Sequence, residues 1–143
     1  MRPRKACRPC AALCQTEAQG PNRYPQSVPH IHLQTTAGLT ERSRAQELLA
    51  CLVETLSGCE TIDSASVKAY WTELEMFAVG RGAPVGFVHC QVSILAGRPL
   101  DLRQTIARAL YDKISNYFEA EISQGVVKVT LELREMDAGT YIK

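Results

Sequence analysis

The sequence predicts an α+β fold in which two tandem β-α-β units build a four-stranded sheet with two helices on one face. Three observations predict it: an internal repeat relates residues 29–80 to 85–143, each half opens with strand-like alternation, and each alternation leads into a helical apolar stripe followed by another strand-like run.

The opening strands carry the repeat most clearly. Pro29-His30-Ile31-His32-Leu33-Gln34-Thr35-Thr36-Ala37-Gly38 lies over Val88-His89-Cys90-Gln91-Val92-Ser93-Ile94-Leu95-Ala96-Gly97 at an offset of 59, with His, Ala and Gly coinciding. Apolar and polar residues alternate in both, as in a half-buried strand. After each Ala-Gly comes one apolar face at helical spacing: Leu48, Leu49, Leu52, Val53 and Leu56, then Ile106, Ala107, Leu110, Tyr111 and Ile114. Pro99 and Asp101 suit the first turn of the second helix, and Gly58 suits the end of the first. The closing strands align at an offset of 60, with Val67-Lys68 over Val127-Lys128 and Glu75-Met76 over Glu135-Met136. A crossover helix makes each strand pair parallel, and the Gly80–Pro84 stretch joins the units. The second sheet face, read as apolar and left uncovered, predicts a partner subunit. The same order of elements suits a ferredoxin-like small-ligand or RNA-binding module, and pattern alone leaves both open.

Composition narrows the function classes. At 143 residues, with 45% apolar and 22% charged residues, the chain is one domain's worth of globular protein. A net charge of +1 gives no field that recommends nucleic acid or an acidic membrane, and no apolar stretch approaches the roughly 20 residues of a membrane span.

Residues 1–28 differ from the rest. They hold Arg2, Arg4, Lys5, Arg8 and Arg23 against Glu17 alone, together with Pro3, Pro9, Pro21 and Pro25, and lack periodicity. They read as a disordered basic extension ahead of a domain at 29–143. No apolar core follows the basic start, so a secretory signal is excluded, and nothing amphipathic supports a transit peptide. Cys7, Cys10 and Cys14 supply three thiols without a fourth ligand for a closed zinc site. Cys51, Cys59 and Cys90 read as isolated reduced thiols, which predicts a reducing, cytoplasmic setting.

Val28-Pro29-His30-Ile31-His32 opening one strand, Phe87-Val88-His89 opening another, and Ala96-Gly97-Arg98-Pro99-Leu100-Asp101 entering a helix resemble the tautomerase superfamily. Within it, residues 29–138 are most similar to the 5-carboxymethyl-2-hydroxymuconate isomerase family. The resemblance implies a fused pair of short tautomerase units, assembly as a homotrimer, and cofactor-free keto-enol isomerisation of a small unsaturated dicarboxylate in aromatic-compound catabolism. It assigns the general base to an amino-terminal proline, matched here by Pro29, and requires no metal.

Pro29 in the written chain is internal, and an amide nitrogen has no basic lone pair. The expectation is that Val28 marks the natural start, because a GTG initiation codon reads as Val inside a longer frame, and that residues 1–27 are an over-extended reading. A carboxylate substrate needs cations, and Arg98 matches the family's helix-entry arginine, with Lys68 standing where a second arginine is usual. Trp71 and Phe77 are candidates for an apolar pocket wall, against plain packing. Arg42, Arg44 and Arg103 read as solvated or paired helix residues. His30, His32 and His89 could in principle hold a metal, but the Pro-His opening is not a metal motif, and the Gly80–Gly86 loop lacks the setting of a phosphate cradle. The alternative is a non-catalytic binding module with Pro29 internal.

Overall fold

Alternate residues of the opening strands are apolar, so each strand has one face that must leave water. In the computed structural model, which describes residues 28–39, 42–82 and 85–142, β1 (His30–Thr36) turns Ile31, Leu33 and Thr35 inward, and β3 (Gly86–Leu95) does the same with Val88, Cys90, Val92 and Ile94. The helices α1 (Arg42–Ser57) and α2 (Leu100–Tyr117) cover that face. Their buried residues recur every fourth position: Leu48, Leu52 and Leu56 on α1, Ile106, Leu110 and Ile114 on α2. All of these join one hydrophobic cluster, which Phe118 closes at the end of α2. A short α3 (Glu119–Ser123), absent from the sequence reading, leads into β4 (Val127–Met136), and β2 (Lys68–Leu74) follows a 3-10 turn at Ser64–Ser66.

The strand order is β2-β1-β3-β4. β1 pairs with β2 and β3 with β4 in parallel, while β1 and β3 join the halves antiparallel, as two β-α-β units require. The repeated Ala-Gly has a local cause. Ala37 N–H donates to Leu74 O at 3.1 Å, Ala96 N–H donates to Met136 O at 3.0 Å, and the following Gly38 and Gly97 take φ of 80° and 122°. Each glycine turns the chain from strand toward helix through backbone space that a side chain disfavours.

Two expectations need correction. The closing strands superpose at an offset of 62, not 60: His30 pairs with Lys68, and its repeat mate His89 pairs with Thr130. The second half inserts α3 before its closing strand, and the slip of two residues keeps every side chain on its expected face. The uncovered sheet face is polar rather than apolar. It presents Lys68, Tyr70 and Thr72 from β2, His30, His32 and Gln34 from β1, His89, Gln91 and Ser93 from β3, and Lys128, Thr130, Glu132 and Arg134 from β4. The register also sets Phe87 beside Lys128, Leu74 beside Thr36 and Met136 beside Leu95 on this face, so its apolar residues are confined to the ends of the strands and its centre is polar.

Cys59 and Cys90 are buried, with Cys59 Sγ 3.3 Å from Thr61 Oγ1, whereas Cys51 is disulfide-bonded, which departs from the expectation of three reduced thiols. Apart from Val28, the predicted extension and its three cysteines lie outside the described residues. Among the described residues no helix is long and apolar enough to cross a membrane.

Candidate active site

The pairing gathers four strand ends at one edge of the sheet. Pro29 precedes β1, Lys68 opens β2, and Leu95 and Met136 end β3 and β4 side by side. The Pro29 ring is fully buried, and its carbonyl accepts the Lys68 N–H at 3.0 Å. Lys68 is exposed and shares the open face with His30.

Arg98 enters the same region from the β3–α2 loop, but turned inward. It is only 3% exposed. Its Nε donates to Thr61 Oγ1 at 3.1 Å, Nη1 donates to Leu95 O at 3.0 Å, and Nη2 donates to Thr61 O. These bonds tie the turn before β2 to the end of β3. The anion-favouring entrance of α2 already has a carboxylate: Gly97 N–H points at Glu135 Oε1, and Arg103 Nη1 lies 3.3 Å from Glu135 Oε2. Arg103 Nε also donates to Arg98 O at 3.2 Å. The intrachain pairing of Arg103 is therefore structural.

The aromatic candidates separate. Trp71 faces the helices, packs against the core and donates its indole N–H to Thr35 Oγ1 at 2.9 Å. Phe77 lies beyond the far end of β2, 44% exposed and edge-to-face with Phe87 at 6.1 Å between centroids. A seven-residue strand separates it from the Pro29 edge by roughly 20 Å. One chain thus brings together Pro29, Lys68 and Arg98, and leaves Trp71 in the core and Phe77 at the opposite edge.

Sequence reasoning missed Tyr141. Its hydroxyl lies 3.1 Å from His30 Nε2, and its backbone N–H donates to Asp137 O at 3.0 Å in the turn that follows β4. No local motif marks it, because only the fold brings residues so distant in sequence together.

The remaining histidines are engaged along the sheet. His32 Nε2 lies 2.9 Å from Thr72 Oγ1, with its ring stacked on Tyr70 at 4.3 Å, and His89 Nδ1 lies 2.8 Å from Thr130 Oγ1. Among the described residues no three metal-binding side chains converge. Burial pushes the Cys90 thiol up to about 12, which keeps it neutral and unsuited to nucleophilic work.

Burial, and secondarily the neighbouring His89, lowers the His32 pKa below its ordinary 6.5. The unfolded chain then takes up this proton before the folded one does. The stability contributed by neutral His32 is present above pH 6.5 and is lost as the pH falls from there through the folded pKa. Melting curves between pH 7.5 and 5 should fall more steeply on the acid side for the unaltered chain than for His32→Gln.

The architecture has counterparts among known proteins. Residues 29–143 match the 5-carboxymethyl-2-hydroxymuconate isomerase family. The chain belongs to that family. A 5-carboxymethyl-2-hydroxymuconate isomerase from Deinococcus radiodurans R1 superposes with a TM-score of 0.77 at 27% identity, over 85% of this chain and 92% of that one. A 5-carboxymethyl-2-hydroxymuconate delta-isomerase gives 0.68 at 15% identity, over 82% and 88%. A fused 4-OT in a symmetric trimer gives 0.61 at 20% identity, over 76% and 85%. No curated protein matches the sequence. Membership of the 5-carboxymethyl-2-hydroxymuconate isomerase family, together with the tautomerase fold, supports an isomerase of the tautomerase type.

Proposed function

We propose that the chain is a cofactor-free keto-enol isomerase of a small unsaturated dicarboxylate resembling 5-carboxymethyl-2-hydroxymuconate, with Pro29 as an amino-terminal general base. The observation that carries this reading is the coincidence of the family match, which begins at Pro29, with a sheet edge where that proline is buried beside Lys68.

A terminal amine titrates near ~8 in water, and burial disfavours its charged form, which brings the free base toward working pH. The nitrogen of Pro29 removes the hydroxyl proton of a dienol. Electrons move along the conjugated chain, the carbonyl forms, and the same nitrogen returns the proton to a distant carbon. No electron is gained or lost overall. Lys68 offers a point charge to a substrate carboxylate, in place of the planar fork of an arginine. Arg98 holds Thr61 and the end of β3 in place, and so shapes the substrate site through the loop it fastens. Trp71 stiffens the β2 side of the pocket from the core.

Phe77 reaches a Pro29 site only from another copy. A homotrimer, the arrangement of the fused 4-OT relative, supplies such a neighbour. This role belongs to cytoplasmic aromatic-compound catabolism.

The test is the intact mass of protein expressed without a tag from its own gene and upstream region, joined to an isomerase assay on the same preparation. The expected result is a mass beginning at Pro29 and turnover of the dienol. A mass retaining residues 1–28 removes the base and favours a non-catalytic small-ligand module.

A further inference from the structure

A catalytic base at the first residue of a chain meets a physical difficulty, because chain ends fray unless they are tied down. A terminal nitrogen serves as an efficient base only while its lone pair keeps one direction. The head of β1 is tied at three points. Pro29, two residues before the inward-facing Ile31, buries its ring, and its carbonyl accepts the Lys68 N–H at 3.0 Å. The third tie comes from the open face, where His30 Nε2 lies 3.1 Å from the Tyr141 hydroxyl.

Tyr141 reaches His30 from a built segment. β3 separates β4 from β1, so a group leaving the end of β4 has roughly 10 Å of sheet to cross. A turn carries it part of the way. Asp137 O accepts the N–H groups of Thr140 at 3.2 Å and Tyr141 at 3.0 Å, and Asp137 Oδ1 accepts the Gly139 N–H at 2.8 Å. The turn starts just after Met136, whose carbonyl accepts the Ala96 N–H at 3.0 Å and is thereby fixed to the end of β3. The Tyr141 ring meets the imidazole at 6.1 Å between centroids, tilted by 58°. Both residues are half-buried, so water competes less for this bond than for an exposed one. The other two histidines of the face bond to threonines of neighbouring strands, His32 to Thr72 and His89 to Thr130. His30 differs from them in its tie to a segment outside the sheet.

We propose that Tyr141 is a positioning residue for the isomerase: its hydroxyl holds His30, and His30 holds the Pro29 nitrogen in line. The peptide joining Pro29 to His30 is planar and rigid, so fixing the His30 side chain together with the Pro29 carbonyl restricts the rotations that would turn the ring nitrogen away. Tyr141 touches no substrate in this role. Without its hydroxyl the terminus opens to water more often, and the amine moves back toward its ordinary basicity near ~8. The inference rests on the isomerase reading, since it concerns how that base is held.

The test uses the chain that begins at Pro29, assayed on 5-carboxymethyl-2-hydroxymuconate across pH. An isotope-labelled proline is followed by NMR, so that the Pro29 amine is titrated without reference to turnover. Tyr141→Phe, which removes one hydroxyl and keeps the ring, should lower kcat about threefold to tenfold with KM nearly unchanged. The pKa of the Pro29 amine and the rising limb of the activity profile should both move to higher pH. His30→Leu should do the same, and joining it to Tyr141→Phe should cost no more than either change alone. His30→Gln keeps a partner for the hydroxyl and should lose little. Thr72→Val breaks a bond of the same kind on the same face, away from Pro29, and should leave kcat and the amine unaltered. Unchanged kcat and amine pKa in Tyr141→Phe overturn the proposal, as do additive losses in the double variant or an equal loss in Thr72→Val. A lower melting temperature with no movement of the amine pKa also overturns it, because Tyr141 would then only stabilise the fold. The isomerase reading fails separately: it falls if Pro29→Ala turns over the dienol normally, whatever the Tyr141 variants give.

Discussion

Replacing Pro29 by Ala in a chain that begins at residue 29 should lower kcat by on the order of 100-fold or more while leaving KM and the fold nearly unchanged. The secondary amine of proline is fixed by its ring, and the ring is fully buried at the head of β1. Alanine offers a primary amine that turns freely about the N–Cα bond and leaves part of that space empty, so the fixed direction of the lone pair is lost. The fold has little stake in the ring. The bond from Lys68 N–H to the residue 29 carbonyl survives the change, and the sheet begins at His30. Stopped assays across pH would add a second signature. Activity should rise with pH through the lowered pKa of the terminal amine in the unaltered enzyme, and this limb should shift or vanish in the variant. Unchanged kcat would remove Pro29 from the chemistry and return the chain to the class of small-ligand binders.

The repeat was legible because each half solves the same local problem. Ala37-Gly38 and Ala96-Gly97 both close a parallel strand pair and then need a positive φ, so these residues recur where the rest of the sequence has drifted. The core stripes Leu48, Leu52, Leu56 and Ile106, Leu110, Ile114 recur because both helices cover the same sheet face. The closing-strand register was misread because Val67-Lys68 and Val127-Lys128 look alike, whereas register follows from the chain between helix and strand, where only the second half carries α3. The polar open face was hidden for a related reason. Alternation shows that a strand has two faces, and the residues of four strands share a face only once pairing is known.

The site was legible in part. Pro29 and Lys68 meet because a strand start is readable in sequence, and parallel pairing puts two starts together. Tyr141 reaches His30 from the turn beyond β4, a long-range contact that leaves no mark on neighbouring residues. Phe77 differs again. The sequence pattern carries the closing strand of the first unit through Phe77, but β2 ends at Leu74, and Phe77 lies beyond it at the far edge of the same chain.

Arg98→Ala should act first on stability, lowering it by about 2–4 kcal/mol, since a buried guanidinium that donates to two backbone carbonyls and a hydroxyl leaves desolvated acceptors behind when removed. For a domain of this size the melting temperature should fall by roughly 10 °C. The family resemblance in the sequence matches Arg98 to a substrate-binding arginine, which predicts that Arg98→Ala mainly weakens substrate use. The two readings therefore separate in one pair of measurements. Arg98→Lys sharpens the contrast, because lysine keeps the charge but cannot reach Thr61 Oγ1, Thr61 O and Leu95 O together from a single ammonium. A clamp predicts that lysine restores little of the lost stability, while a simple carboxylate partner predicts that lysine restores much of the lost KM. If Arg98→Ala melts with the unaltered chain and only KM rises, the guanidinium swings out to substrate in the working enzyme, and the bonds to Thr61 and Leu95 belong to its resting position.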